Sequence, residues 1–204
     1  GWPFPRERLA QIHVDLLNAG ALSVSWVAVF SEPDRFGGDE AFAEALSYAP
    51  SVIAMFETDG YSEIPKTEGT VILGDDFGGV LAKGVTQNIQ PLRDVSLQGI
   101  VGATLEADLL LRRMPLLMRS PDGWMASFGT QLLKAVTGTS TYVIKTNSNG
   151  IEQVRVKQLN PIPTDSEGRV WVNWVAPKET SLQEMDVQGK VVIVGTTAKG
   201  ILPQ

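Results

Sequence analysis

Four charged residues carry the chemistry that this chain could do: Asp34, Asp108, Arg112 and Arg113. Asp34 closes the segment Ser31-Glu32-Pro33-Asp34, which directly follows the apolar run Ala21–Phe30. The carboxyl end of a buried strand is where ligands bind in open α/β sheets, although the same four residues also suit a solvated turn closed by an Asx hydrogen bond. Arg112 and Arg113 stand between two apolar runs, Leu109–Leu111 and Met114–Met118. Two guanidinium groups beside a buried strand need an anionic partner, because an unpaired buried charge is costly. Asp108, four residues before Arg112, can be that partner from within, and an anionic ligand can be it from outside. One arginine is expected to act as a strut tied to an acid, with the other more exposed. Removing Arg112 is then expected to cost folding stability more than ligand response.

Other chemistries find less support. Asp34 and Asp108 could serve a carboxylate-dependent hydrolase if their environments split their pKa values. Yet the chain has no cysteine, one histidine and no Gly-x-Ser-x-Gly elbow, so the common nucleophile systems lack their parts. His13 shares a helical stripe with Leu9, Ile12, Leu16 and Leu17. It reads as a base or ligand, or as a core-edge histidine bonded to a backbone group. The acidic turn GDDFGG at 74–79 lacks the oxygen spacing of a calcium loop, and no P-loop or Gly-x-Gly-x-x-Gly turn precedes a helix. The tail GTTAKG at 195–200 is either a phosphate loop or a strand-end turn. We expect no catalytic residue, no metal and no cofactor. A net charge of −6 without a basic patch argues against nucleic acid.

At 204 residues, 43% hydrophobic and 20% charged, the chain can bury a sizeable core and reads as one domain spanning 1–204. A helix is expected over Arg6–Asn18, ended by Ala19-Gly20. Ala21–Phe30 reads as a strand buried on both faces. A second helix follows, with Asp39 as N-cap and Phe42, Ala45, Leu46 and Ala49 inward, and then a strand over Ser51–Phe56. Strand, helix, strand predicts a parallel pair. Strand-like pieces at Thr70–Leu73 and Val85–Ile89 come next. The two apolar runs around Arg112-Arg113 predict strands, and Ser120–Gly123 a turn into a helix bearing Met125, Phe128, Leu132, Ala135 and Val136. Asn147-Ser148-Asn149-Gly150 joins Thr141–Thr146 to Ile151–Gln158 in a hairpin. Asp165–Gly168 joins Ile162–Thr164 to Val170–Val175 in a second, in which one of Trp171 and Trp174 should enter the core. Val191–Val194 reads as a buried central strand. The fold class is α/β and mixed: a central sheet with helices on its faces, plus antiparallel hairpins in the C-terminal half.

The order of motifs is distinctive. WPFPR at 2–6 and a helix lead to a strand ending FSEPDR at 30–35. Then come D-x-x-x-RRMPLL at 108–117, a helix, a hairpin with IPTD-x-x-G at 162–168, and GKVVIVGTTAKG at 189–200. This series resembles the type-two CHASE domain, the cyclase- and histidine-kinase-associated sensory extracellular domain of bacterial receptors. The resemblance implies an extracytoplasmic sensory input domain on the periplasmic or extracellular face of the membrane. Flanking segments would hold it there and couple it to a cyclase, diguanylate cyclase or kinase.

Beginning at Gly1, the chain is expected to be a fragment of such a receptor. The resemblance implies an unidentified small-molecule or protein ligand, and a homodimer is a further expectation. Asp34, Asp108, Arg112 and Arg113 match the family pattern. Val27 stands where the family carries an aspartate, the family's acidic turn is reduced to Asp108-Leu109-Leu110, and the segment between Pro177 and Gln188 is short. Attachment at both ends requires both ends of the domain to lie on one side. A structural dimerisation domain without a small-molecule ligand is the alternative, and it predicts a large exposed apolar patch in place of a polar cleft.

Overall fold

The computed structural model describes residues 4–60, 65, 69–102, 105–175 and 186–195. The first turn of the chain is α1 (Arg6–Asn18), which buries Leu9, Ala10, His13 and Leu16 along one stripe, as the spacing predicts. Gly20, at φ 94°, turns the chain out of the helix. Next come β1 (Ser23–Trp26), α2 (Asp39–Ser47) and β2 (Val52–Thr58). The expected strand Ala21–Phe30 is thus only four residues long, although all four are buried. Gly38 takes the N-cap position of α2 and Asp39 is its first helical residue, so Asp39 is not the cap.

The middle of the chain holds β3 (Thr70–Leu73), β4 (Val80–Leu81), β5 (Gly84–Thr86), α3 (Gln90–Arg93) and β6 (Leu97–Val101). Strands β7 (Arg113–Pro115), β8 (Leu117–Ser120) and β9 (Gly123–Ala126) follow, then α4 (Phe128–Thr137). Strands β10 (Tyr142–Asn147), β11 (Gly150–Val156), β12 (Ile162–Pro163), β13 (Arg169–Trp171) and β14 (Val191–Val194) complete the described elements. The structure is mixed α/β with several sheets, in keeping with the fold class read from the sequence. Among the described residues no helix is long and apolar enough to cross a membrane.

Sheet pairing explains where the two faces of the first core lie. Strands β14, β1, β2 and β6 run parallel in that order, and β5 adds antiparallel to the far half of β2. Successive side chains of a strand point to opposite faces. Ile53 joins Trp26, Phe42, Leu46 and Leu9 under α1 and α2, while its neighbours Val52 and Ala54 pack with Phe128 and Ala135 of α4. A Cβ at Gly99 of β6 would fall 2.6 Å from the Cα of Phe128, so glycine is what lets α4 start against the strand. A second sheet runs β12-β11-β10-β3, and its core centres on Tyr142, Ile144, Val154 and Trp124.

Several expectations are corrected. Leu109–Leu111 is not a strand. Leu109 adopts φ 63° and is 75% exposed, because the segment forms a turn held by the Asp108 carboxylate. Ser120–Gly123 turns into β9 instead of a helix, and α4 starts at Phe128 behind the Ser127 cap; Val136 faces solvent. The β10–β11 hairpin forms as read. In contrast, β12 pairs with β11 and β13 with β7, so the second hairpin closes its turn without pairing its own strands. Trp171 and Trp174 are both largely exposed, and among the described residues the buried tryptophans are Trp26 and Trp124. Strand β14 ends the described strand order, with Val191 and Ile193 exposed, so it is not central. The tail at 196–200 and most of the 177–188 segment lie outside the described residues.

Candidate functional site

Asp34 lies just past the end of β1, as its place in the sequence implies, and there it ties two helix starts together. Its Oδ2 accepts from the backbone N–H of Arg6 at 3.0 Å and of Gly38 at 3.3 Å. These are donors at the N-termini of α1 and α2, which helix geometry leaves unsatisfied. Its own N–H donates to Asp39 Oδ2 at 2.8 Å. Arg6 completes the knot: Nε lies 3.2 Å from Asp39, the guanidinium donates to the Glu32 carbonyl, and it stacks 4.5 Å over Phe30. Burial pushes the Asp34 carboxyl up. The N–H groups of Arg6, Phe36 and Gly38, with the Arg6 charge, outweigh that and hold it below its ordinary range.

The arginine pair divides its duties. Arg112 forms a two-pronged pair with Asp108, both contacts at 2.7 Å, in the open. Its hydrogen bond and charge hold the Asp108 carboxyl low. Arg113 is the more enclosed of the two. It grips Glu106 with Nε at 2.8 Å and Nη2 at 2.9 Å, donates to Asp165 at 2.9 Å, and lies 5.6 Å over Trp171. Asp165 also accepts from the Arg169 side chain and from the backbone of Glu167 and Arg169. Arg113 therefore joins β7 to the β12–β13 turn, and the strut is this arginine; the Arg112 pair stays on the surface. Among the described residues no hydrogen bond or ion pair links Asp34 to Asp108, Arg112 or Arg113, so the four do not converge.

His13 is fully buried and stacks beside Trp26, whose indole N–H donates to its Nδ1 at 3.1 Å. The partner is a side chain and not the backbone group expected. Burial lowers its pKa to about 4, so the ring is neutral; its Nε2 has no hydrogen-bond partner among the described residues.

A cleft of about 250 Å³ lies elsewhere, and nothing in the local sequence announces it. Its polar lining comes from Arg93 of α3, Ser96 and Gln98 at the start of β6, Gln131 and Lys134 of α4, and Tyr142 of β10. Met55 and Met125 contribute to its apolar wall. Tyr142 donates to Gln131, Lys134 lies 5.3 Å over the Tyr142 ring, and Gln98 reaches both Asn88 and Ser96. The wall belongs to three separate cores: Met55 and Met125 to one, Tyr142 and Ala126 to another, Leu97 to a third. The cleft is thus a seam at the place where α3, β6, α4 and β10 meet. Binding sites favour such junctions between packed units. Gln131 and Lys134 share a face of α4 by their i, i+3 spacing, but that spacing does not by itself mark a cleft, and assembly of the lining depends on folding.

A second cleft, of about 320 Å³, opens beside Asp34 between Phe4, Arg6, Glu32, Arg35 and Phe36. Its Asp34 and Arg6 are already engaged with each other's segments, as described above.

Comparison with protein families matches residues 1–203 to the CHASE2 domain. No curated protein and no solved structure matches the chain. The chain belongs to the CHASE2 domain family, whose members are extracellular sensory domains of receptors.

Proposed function

We propose that this CHASE2 domain is the ligand-binding input module of a bacterial transmembrane receptor. In this reading it folds as one unit on the periplasmic side, is held by flanking membrane segments and drives a cytoplasmic cyclase, diguanylate cyclase or kinase. The observation that carries the proposal is the seam cleft. A ligand there touches α3, β6, α4 and β10. It therefore binds one relative placement of these elements better than another, which is the requirement for shifting a two-state equilibrium. A differential of about 1–3 kcal/mol is the usual scale of such coupling.

The ends of the described chain support the reading. Arg6 stacks on Phe30, and the Val194 carbonyl accepts from Val27. Arg6 and Val194 therefore both lie beside the stretch that follows β1, an arrangement that suits tethering to one membrane on both flanks. We read the module as non-catalytic: Asp34 and Asp108 are both held ionised by internal donors, which leaves neither as a raised-pKa acid.

Thermal melting of the chain against a panel of small molecules tests the proposal. A specific ligand at a hundredfold excess over its Kd adds about 2.7 kcal/mol by linkage and raises the melting temperature by several degrees. Substitutions in the seam should abolish the rise. A rise that survives them overturns the assignment of the site.

A second reading, a homodimer, is favoured by one exposed apolar face. Trp171, Trp174, Val175 and Leu109 are each more than two-thirds exposed, and the Trp174 indole donates to the Leu111 carbonyl at 2.8 Å. Sedimentation would detect a dimer, and Trp171→Ser with Trp174→Ser should dissociate it.

A further inference from the structure

We propose that the ligand of the seam cleft is a small organic carboxylate, received by Arg93. The inference rests on reading the chain as a small-molecule sensor and names the class of molecule sensed. Arg93 makes no ion pair among the described residues. Its terminal nitrogens donate to the amide oxygens of Gln87 and Gln90, both neutral. Its Nε is buried with no hydrogen-bond partner among the described residues, while the rest of the guanidinium is half-buried and opens toward the cleft. A half-buried guanidinium without an anion is a receptive site for one. In a chain with 23 acidic residues against 17 lysines and arginines, an acid to pair with it would be easy to find. Arg6, Arg112, Arg113, Arg119 and Arg169 each face a carboxylate; Arg155, also half-buried, makes no ion pair among the described residues but is not in the lining of this cleft.

The rest of the cleft suits the same guest. Lys134 adds a second positive charge to the lining, and among the described residues no acid does. Ser96, Gln98 and Gln131 supply neutral polar groups that can orient a ligand without opposing its charge. Met55, Leu97 and Met125 give an apolar wall. Inorganic phosphate would match the guanidinium fork as well as a carboxylate does, but it would leave that wall facing nothing. An organic acid with a short carbon body fills both. Because Arg93 stands on α3 while Gln131 and Tyr142 stand on α4 and β10, an anion held by Arg93 would bridge α3 to those elements. That links occupancy to the conformational change the receptor needs.

The test uses calorimetric titration of the whole chain with acetate, lactate, succinate and glutarate. Inorganic phosphate, acetamide and putrescine serve as the phosphate, neutral and cationic probes. The expected result is saturable binding of at least one carboxylate. Arg93→Gln should remove it, and Gln131→Glu should weaken it. The second variant keeps an oxygen to accept from Tyr142 but places a negative charge in the cleft, which should weaken a carboxylate by about tenfold or more. Melting curves establish that both variants are folded, and Arg112→Gln, outside the cleft, should bind as the parent does. Carboxylate binding that persists in both cleft variants overturns the site. Binding of phosphate without any carboxylate overturns the ligand class. Binding of acetamide or putrescine alone overturns the anion inference and leaves the sensor reading standing. No binding by any probe overturns the inference and turns attention to the dimer reading.

Discussion

Protonating His13 would put a charge among Trp26, Leu9 and Phe42 with nothing to receive it, and this gives the fold an acid-sensitive residue. Its pKa falls from 6.5 to about 4 on folding, so between those values the unfolded chain binds more protons. The stability tied to the neutral ring is complete above pH 6.5 and is lost as the pH falls toward 4. Denaturant titrations at pH 7 and pH 5 should differ by about 2 kcal/mol on this account. In His13→Gln, which can still accept from the Trp26 indole, most of that difference should vanish. An unchanged slope would place the acid sensitivity elsewhere. At the same scale, the arginine pair separates by melting temperature. Arg113→Ala leaves Glu106 and Asp165 without their shared partner and should melt well below Arg112→Ala, which removes only a surface pair. Equal losses would refute the strut assigned to Arg113.

Among the elements, the contact of α4 with β6 is the one that bounds the cleft and admits least change. Gly99→Ala would press a methyl group against the Phe128 backbone, and backbone cannot swing aside as a side chain can. The expected cost is about 1–3 kcal/mol, measurable by denaturant titration. If the helix shifts to make room, ligand affinity should fall as well. The element scale also explains which strands the sequence concealed. The run Met114–Met118 is one apolar stretch but serves two ladders, β7 with β13 and β8 with β9. Leu109–Leu111, equally apolar, is turned outward by the Asp108 carboxylate. Hydrophobicity marks what can be buried, and pairing partners elsewhere in the chain decide what is.

For the whole molecule, the seam lies where the N-terminal and C-terminal halves of the chain already share core residues, Met55 and Ile100 with Met118 and Met125 on one side and Val52 and Ala54 with Phe128 and Ala135 on another. Ligand in the cleft should slow amide hydrogen exchange in β6 and in α4 and β10 together, while α1, on the far face of the sheet, changes little. Protection confined to one of these elements would mean that the cleft holds a ligand without coupling them. The two ends of the described chain lie by α1 and β14, and α3 packs through Leu92 into the core under α1 and α2. A signal from the cleft to the ends therefore has two routes, through α3 and through the parallel sheet.

Local pattern was enough for the pieces with local causes. The α1 stripe, the β1–α2–β2 unit and the β10–β11 hairpin follow from spacing and turn residues, and the order of motifs carried the family. The charge environment of Asp34, Arg112 and Arg113 was legible only in part. The need for partners followed from burial, but Arg6, Glu106 and Asp165 lie 28, 7 and 52 residues away. The cleft was not legible at all. Arg93, Gln98, Gln131 and Tyr142 are ordinary residues of four separate elements, and no spacing rule relates them. Tertiary packing alone brings them to one wall. It does so because β2 and β6 share their apolar side chains among the cores that meet there, and the gap between those cores is left to polar side chains.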